Sequence, residues 1–133
     1  MIIRKIKNLF GKYSLVQPKT YWIDIINVCN LKCVMCPQAH GLSRPSAVMD
    51  MDLFKRIVDQ VCGNGPLLKL YLSGEPLMHK HLIEMIDYAG KSGCKTMIHT
   101  NATLLTEEMS RKLLATSLDF ISFSFDGCTA EVY

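Results

Sequence analysis

Residues 21–37 read YWIDIINVCNLKCVMCP, a strand-like stretch that passes directly into three closely spaced cysteines. Residues 21–28 are rich in β-branched and aromatic side chains, so they are predicted to form the first strand. Cys29, Cys33 and Cys36 follow with the spacing C-x3-C-x2-C. Three thiolates on one loop can bind three irons of a cubane iron–sulfur cluster, which leaves the fourth iron open to another ligand.

Strand and helix patterns alternate beyond this loop. Further strands are predicted at 67–73, 95–100 and 119–125. Helices with apolar residues at the helical period are predicted to start at Asp50 or Asp52, near Leu82 and at Thr106. This alternation predicts an α/β fold with a parallel sheet and right-handed crossovers.

Length and composition indicate one globular domain. The chain has 133 residues, of which 49% are hydrophobic and 20% charged. Residues 1–20 carry five basic side chains and no acid, so they are predicted to be a basic leader before a domain at 21–133. The leader is interpreted as a solvated segment, with a basic amphipathic helix on a membrane surface as the alternative.

No targeting or spanning signal is evident. The leader lacks the continuous apolar core of a secretory signal, and no apolar run approaches the roughly 20 residues that cross a bilayer. A cytoplasmic location is therefore expected, with no membrane span and no nucleic-acid partner. In that compartment, six cysteines indicate metal binding or catalysis more than disulfides.

Polar and turn residues follow every predicted strand. After the cysteine loop, these strand ends are Ser73-Gly74-Glu75-Pro76, Thr100-Asn101-Ala102 and Ser124-Phe125-Asp126-Gly127. The carboxyl ends of parallel strands meet at one edge of the sheet, where ligands bind. The four loops are therefore predicted to cluster around one site at this edge of the sheet, which we call the rim.

Other uses of the cysteines remain open on spacing alone. With His40, the motif reads C-x3-C-x2-C-x3-H and offers four zinc ligands. A redox pair of Cys33 and Cys36 would leave Cys29 unexplained. The cysteines at positions 62 and 94 are predicted to be small core hydrophobes, and Cys128 lies close to the predicted rim.

The histidines form no metal-ligand spacing among themselves. His79 and His81 flank the start of the second predicted helix and are expected to be solvated. His99 lies within the third predicted strand, where it either faces the sheet's interior side or simply packs.

Together these motifs resemble the radical S-adenosylmethionine (radical SAM) enzymes, whose defining motif is C-x3-C-x2-C. The resemblance covers 21–133. It implies the N-terminal four βα units of a (β/α)6 partial TIM-like barrel, and the chain is expected to be truncated within that core domain. It also implies two cofactors, a [4Fe–4S] cluster held by Cys29, Cys33 and Cys36, and S-adenosylmethionine.

The strand-end motifs resemble the family's cosubstrate-binding motifs. Ser73-Gly74-Glu75 is similar to its Gly-Gly-Glu, Asn101 to the Asn of its Thr-Asn-Gly, and Ser124 with Asp126 to its Ser-x-Asp-Gly. Met35 stands where an aromatic residue is usual, and Ala102 replaces a glycine. The implied S-adenosylmethionine contacts are Met35, Ser73, Gly74, Glu75, Asn101, Ser124 and Asp126.

Specific roles are implied for some of these residues. Glu75 would bind the ammonium of the methionine moiety, and Gly74 would let the backbone approach the ligand. Ser124 or Asp126 would reach the ribose hydroxyls, and Met35 would pack on the adenine. The resemblance assigns no catalytic residue.

The implied reaction is a reductive cleavage of S-adenosylmethionine to a 5′-deoxyadenosyl radical, which abstracts hydrogen from a substrate. The expected partners are a peptide or small-metabolite substrate, as in a maturase, and an electron donor such as flavodoxin or ferredoxin. The 133-residue chain alone is expected to be inactive. The alternatives are a zinc-binding interaction module and a non-catalytic cluster-binding fragment.

Overall fold

The computed structural model describes residues 17–41 and 43–129. Its four parallel strands pair in chain order as β1 (Thr20–Trp22), β2 (Leu67–Lys69), β3 (Lys95–Thr100) and β4 (Phe120–Phe123). Each crossover therefore returns the chain to the neighbouring strand, and the predicted α/β class is confirmed. Most of the predicted leader at 1–20 lies outside the described residues.

Three helices form the crossovers and cover one side of the sheet. They are α1 (Met51–Val61), α2 (Leu82–Lys91) and α3 (Glu107–Leu114). Asp50 caps α1 by accepting the Leu53 N–H, and Thr106 caps α3 by accepting the Met109 N–H, as predicted. In the described part of the chain, no helix is long and apolar enough to cross a membrane.

The core lies between the sheet and these helices. Its fully buried side chains include Phe54, Val58, Leu68, Leu70, Met85, Ile86, Ala89 and Ile98. Alternation along β3 buries Thr96, Ile98 and Thr100 on the helix side. His99 therefore lies on the opposite side of β3, at the concave face of the sheet.

The first strand is shorter than its sequence predicts. The ladder with β2 ends at Trp22, whereas the strand was predicted to continue to residue 28. Beyond Trp22 the segment pairs with residues that return from the cysteine loop: the Asn27 N–H donates to Ala47 O (3.1 Å) and the Met49 N–H to Ile25 O (2.8 Å). The predicted strand at 21–28 is therefore too long, and the sequence did not indicate this change of partner.

Cys62 and Cys94 are buried, as predicted, but they are not the free thiols that the sequence indicated. They form a disulfide that joins the end of α1 to the start of β3, with Cα atoms 5.3 Å apart. That separation is ordinary for a disulfide. The expectation that the cysteines serve metal or catalysis rather than disulfides is therefore wrong for this pair.

The expectation that His79 is solvated is also wrong. Its side chain is only 3% exposed, and one ring nitrogen, Nε2, lies 2.9 Å from Met49 O. The other, Nδ1, accepts the His81 N–H. Burial, the largest effect, lowers the pKa of His79 below its ordinary value. The turn before α2 is thus fixed by an imidazole that packs under the segment returning from the cysteine loop.

Candidate functional site

The carboxyl ends of the strands surround a cavity of about 490 Å³. All ten residues predicted to bind a cofactor line it: Cys29, Cys33, Met35, Cys36, Ser73, Gly74, Glu75, Asn101, Ser124 and Asp126. They come from the loops after all four strands. The predicted clustering at one rim is therefore present, while the role of each side chain stays a prediction.

The cysteine loop is tied to two strand ends. The Cys36 N–H donates to Cys33 O (2.8 Å), which forms a tight turn, and a short 3-10 helix follows. From that helix, Gln38 Nε2 donates to Asn27 O (2.7 Å) and to Ser73 O. One amide thus holds the loop against the segment after β1 and the segment after β2, a contact that the sequence did not reveal.

The donor set fits an iron–sulfur cluster. Cys29, Cys33 and Cys36 are free, partly exposed thiols on the wall of one cavity, and thiolate is the usual ligand of such clusters. Within 17–41 and 43–129, no three Cys, His, Asp or Glu side chains converge closely enough to hold one ion. A cubane is bound at three separate irons, so its cysteines need not converge on one point.

The zinc alternative would require His40 as the fourth ligand. His40 instead places Nε2 at 2.9 Å from the carbonyl oxygen of Val34, within the loop itself. His40 is also absent from the residues that line the cavity. The four-ligand arrangement that the spacing allowed is thus not assembled.

Glu75 is a buried carboxylate that joins two strand ends. Its side chain is 2% exposed. Oε1 accepts the Leu77 N–H (3.0 Å) and the Thr100 hydroxyl (2.6 Å), and Oε2 accepts the Asn101 N–H (2.9 Å). Three of about four acceptor positions are occupied, which leaves one on Oε2. Glu75 therefore organises the rim, in addition to any contact with a ligand.

Gly74 is required by the chain's own packing. A Cβ atom there would lie 2.1 Å from Ile26 O and 2.7 Å from Val28 O. The Glu75 N–H uses this closeness to donate to Val28 O (2.9 Å). Glycine at position 74 thus lets the backbone approach the segment after β1, whereas the sequence suggested that it lets the backbone approach a ligand.

Ser73 is engaged by a charged pair that sequence reasoning missed. Asp24 accepts the Ser73 N–H (3.2 Å) and hydroxyl, and Arg44 bonds both Asp24 and the same hydroxyl. The Asp24 side chain is only 14% exposed. The available signal was an acidic residue between Ile23 and Ile25 in an apolar strand. The Ser73 side chain therefore serves the rim's framework.

The loop after β3 contacts the first cysteine. Asn101 Nδ2 lies 3.7 Å from Cys29 Sγ and 3.0 Å from Asn30 Oδ1. Ala102 has φ +60°, the left-handed conformation in which a glycine is less strained. The positive φ that the family's glycine suggested is thus adopted by an alanine.

A histidine and two serines form the wall beside β4. His99 Nδ1 lies 2.6 Å from Ser122 Oγ, and Nε2 lies 2.7 Å from Ser124 Oγ. His99 therefore faces the interior side. Phe123 lies on the opposite side of the sheet, beside α3, whereas alternation along the predicted strand at 119–125 would place Phe125 on that same side; Phe125 instead lines the cavity. Alternation ends because β4 itself ends at Phe123.

Comparison with known proteins is consistent with this geometry. Residues 23–133 match the family model described as the Radical SAM superfamily. The AdoMet-dependent heme synthase of Methanosarcina barkeri is 35% identical over 105 residues, 79% of this chain and 30% of that protein. The PqqA peptide cyclase of Rhodopseudomonas palustris is 29% identical over 115 residues, 86% of this chain and 30% of that protein.

Solved structures show the same fold. The crystal structure of BtrN in complex with AdoMet and 2-DOIA superimposes with a TM-score of 0.74 at 22% identity. The match covers 84% of this chain and 48% of BtrN. The chain spans only about 30% of the length of the curated relatives named above.

Proposed function

The chain belongs to the radical SAM superfamily, and we propose from this premise that residues 21–133 are the N-terminal part of a core domain that cleaves S-adenosylmethionine reductively. The observation that carries the proposal is the single cavity, because loops from four strand ends bring three free thiols and seven further predicted contacts to one wall. Residues 1–20 would precede this domain as a leader.

The cofactors would be a [4Fe–4S] cluster and S-adenosylmethionine. When bound, the reduced cluster would supply one electron to the sulfonium of S-adenosylmethionine, and cleavage of the C5′–S bond would give methionine and a 5′-deoxyadenosyl radical able to take a hydrogen atom from substrate. Cys29, Cys33 and Cys36 would hold the cluster as thiolates. A reduced flavodoxin or ferredoxin would supply the electron.

The other side chains of the cavity would bind and orient S-adenosylmethionine. The free acceptor position on Glu75 Oε2 suits the ammonium of the methionine moiety. Ser124 and Asp126, after β4, suit the ribose hydroxyls. Met35 is 72% exposed and lines the cavity, so its thioether is available to pack on the adenine.

The substrate class is a peptide or a small metabolite that is matured by the radical. A peptide is supported by the relative named as a PqqA peptide cyclase, and a tetrapyrrole-sized metabolite by the relative named as a heme synthase. A cytoplasmic location is part of the proposal, because reducing conditions there keep the three partly exposed ligand thiols free, whereas the disulfide of Cys62 and Cys94 is buried away from reductants.

Anaerobic reconstitution tests the proposal. We expect about four irons and four sulfides per chain. Changing any one of Cys29, Cys33 or Cys36 to Ala should abolish this content. Cys128→Ala is the matched control, since Cys128 is also free and exposed but does not line the cavity, and it should keep full iron content.

Binding of S-adenosylmethionine is the second measurement. Its addition to the reduced cluster should change the electron paramagnetic resonance spectrum of the wild-type chain. A colourless protein that binds one zinc, and loses it in His40→Ala, would contradict the proposal. A cluster whose spectrum does not change when S-adenosylmethionine is added would instead support the alternative that the chain is a non-catalytic cluster-binding fragment.

A further inference from the structure

We propose that Asn101 is a positioning residue that raises the reduction potential of the cluster through a hydrogen bond to Cys29. The inference rests on the proposed function, because it requires a cluster on the three cysteines. Asn101 Nδ2 lies 3.7 Å from Cys29 Sγ and 3.0 Å from Asn30 Oδ1. An amide nitrogen carries two hydrogens, so it can donate to both atoms at once.

The orientation of this amide is fixed by its other end. Asn101 Oδ1 accepts the Thr103 N–H (3.0 Å) and the Thr103 hydroxyl (2.7 Å). A backbone N–H can only donate, so the amide oxygen must face Thr103 and the amide nitrogen must face Cys29. The backbone of Asn101 is held as well, because its N–H donates to Glu75 Oε2 (2.9 Å).

Cys29 is distinguished from the other two ligands by its donors. Its sulfur also accepts the Leu31 N–H at 3.4 Å. Across the described residues, no hydrogen bond reaches the sulfur of Cys33 or Cys36. Cys29 Sγ also lies 3.9 Å from Asn30 Oδ1, a contact that only the protonated thiol can make and that a thiolate ligand loses.

The consequence for redox chemistry follows from charge. The reduced cluster carries one more negative charge than the oxidised cluster, and part of that charge resides on the ligand sulfurs. Donors aimed at a sulfur therefore stabilise the reduced form and raise the reduction potential. Asn101 links this effect to the rim, since the residue that bonds Cys29 is also bonded to Glu75.

The experiment is a redox titration of the reconstituted cluster without S-adenosylmethionine, followed by electron paramagnetic resonance. Because the cosubstrate is absent, a direct contact between Asn101 and that ligand cannot cause a change. For Asn101→Ala we expect the ratio of reduced to oxidised cluster at a fixed potential to fall by about threefold to tenfold. A tenfold fall corresponds to a shift of about 59 mV to more negative potential for one electron.

Asn101→Asp is the second variant, because it keeps the acceptor for Thr103 but turns an acceptor towards Cys29. For Asn101→Asp, the ratio of reduced to oxidised cluster should fall further than for Asn101→Ala. Asn64→Asp adds the same charge in the exposed turn before β2, at the opposite end of the strands, and should leave the ratio unchanged.

Two results would overturn the inference. One is an unchanged ratio in both Asn101 variants at normal iron content. The other is loss of iron from both variants, which would show that Asn101 only supports the loop. If the wild-type chain itself binds no four-iron cluster, the proposed function fails instead, so the two failures are distinguishable.

Discussion

Replacing Glu75 with glutamine should weaken the fold without removing any packing. Two of the three donors to Glu75 are backbone N–H groups, those of Leu77 and Asn101, and they contact different carboxylate oxygens. Glutamine has a single amide oxygen. In either orientation of its amide, one buried N–H faces an NH₂ group and loses its acceptor.

The magnitude follows from that count. A lost hydrogen bond to a charged acceptor costs about 1.5–3 kcal/mol, and the remaining bonds change from charge-assisted to neutral. We therefore expect Glu75→Gln to lower the free energy of unfolding by about 2–4 kcal/mol. Glu75→Ala should cost more, since it leaves both N–H groups and the Thr100 hydroxyl without this acceptor.

Urea unfolding followed by circular dichroism measures the change. Glu84→Gln is the control, because the Glu84 side chain is 63% exposed and, among the described residues, bonds only His81, so its loss should cost less than about 0.5 kcal/mol. If Glu75→Gln is as stable as the Glu84 control, the carboxylate does not hold the rim together. Weaker S-adenosylmethionine binding at unchanged stability would then leave ligand binding as its role.

Two further substitutions test other contacts. The Thr96 hydroxyl is fully buried and has no hydrogen-bond partner among the described residues, so Thr96→Val should raise the free energy of unfolding by about 1–2 kcal/mol. Thr100→Val loses its hydrogen bond to Glu75 and should lower the free energy of unfolding. An equal fall in melting temperature for both variants would refute this reasoning. Gly74→Ala should lower the free energy of unfolding by about 3 kcal/mol or more, because its new Cβ would overlap Ile26 O. Gly63→Ala is the control and should be nearly neutral, because no atom lies within 4 Å of its new Cβ. Similar melting temperatures for the two variants would show that the loop around Gly74 relaxes to accommodate the methyl group.

The order of elements could be predicted because it depends on local patterns. Periodicity and capping residues such as Asp50 and Thr106 act within one turn of helix, and both caps form as predicted. Parallel topology then brings the strand ends together without any knowledge of side-chain packing. That is why residues as distant as Cys29 and Asp126 could be assigned to one rim.

The contacts within the rim could not be predicted, because they depend on which segments meet. Residues 23–28 have the same sequence character whether their partner is β2 or the segment returning from the cysteine loop. The pairing of Cys62 with Cys94 likewise requires the end of α1 to lie beside the start of β3. One of these contacts did have a signal in the sequence. Asp24 stands between two isoleucines, which indicates a buried carboxylate that needs a partner.

The pairing between the segment after β1 and residues 47–49 has a consequence for the entropy of the cysteine loop. Asn27 and Ala47, which are hydrogen bonded, are separated by 20 residues, and all three cysteines lie between them. Closing a flexible loop of that length has a length-dependent cost of about 2.7 kcal/mol. Here folding of the chain closes the loop, so a cluster held by the three cysteines would bind to a loop whose ends are already joined.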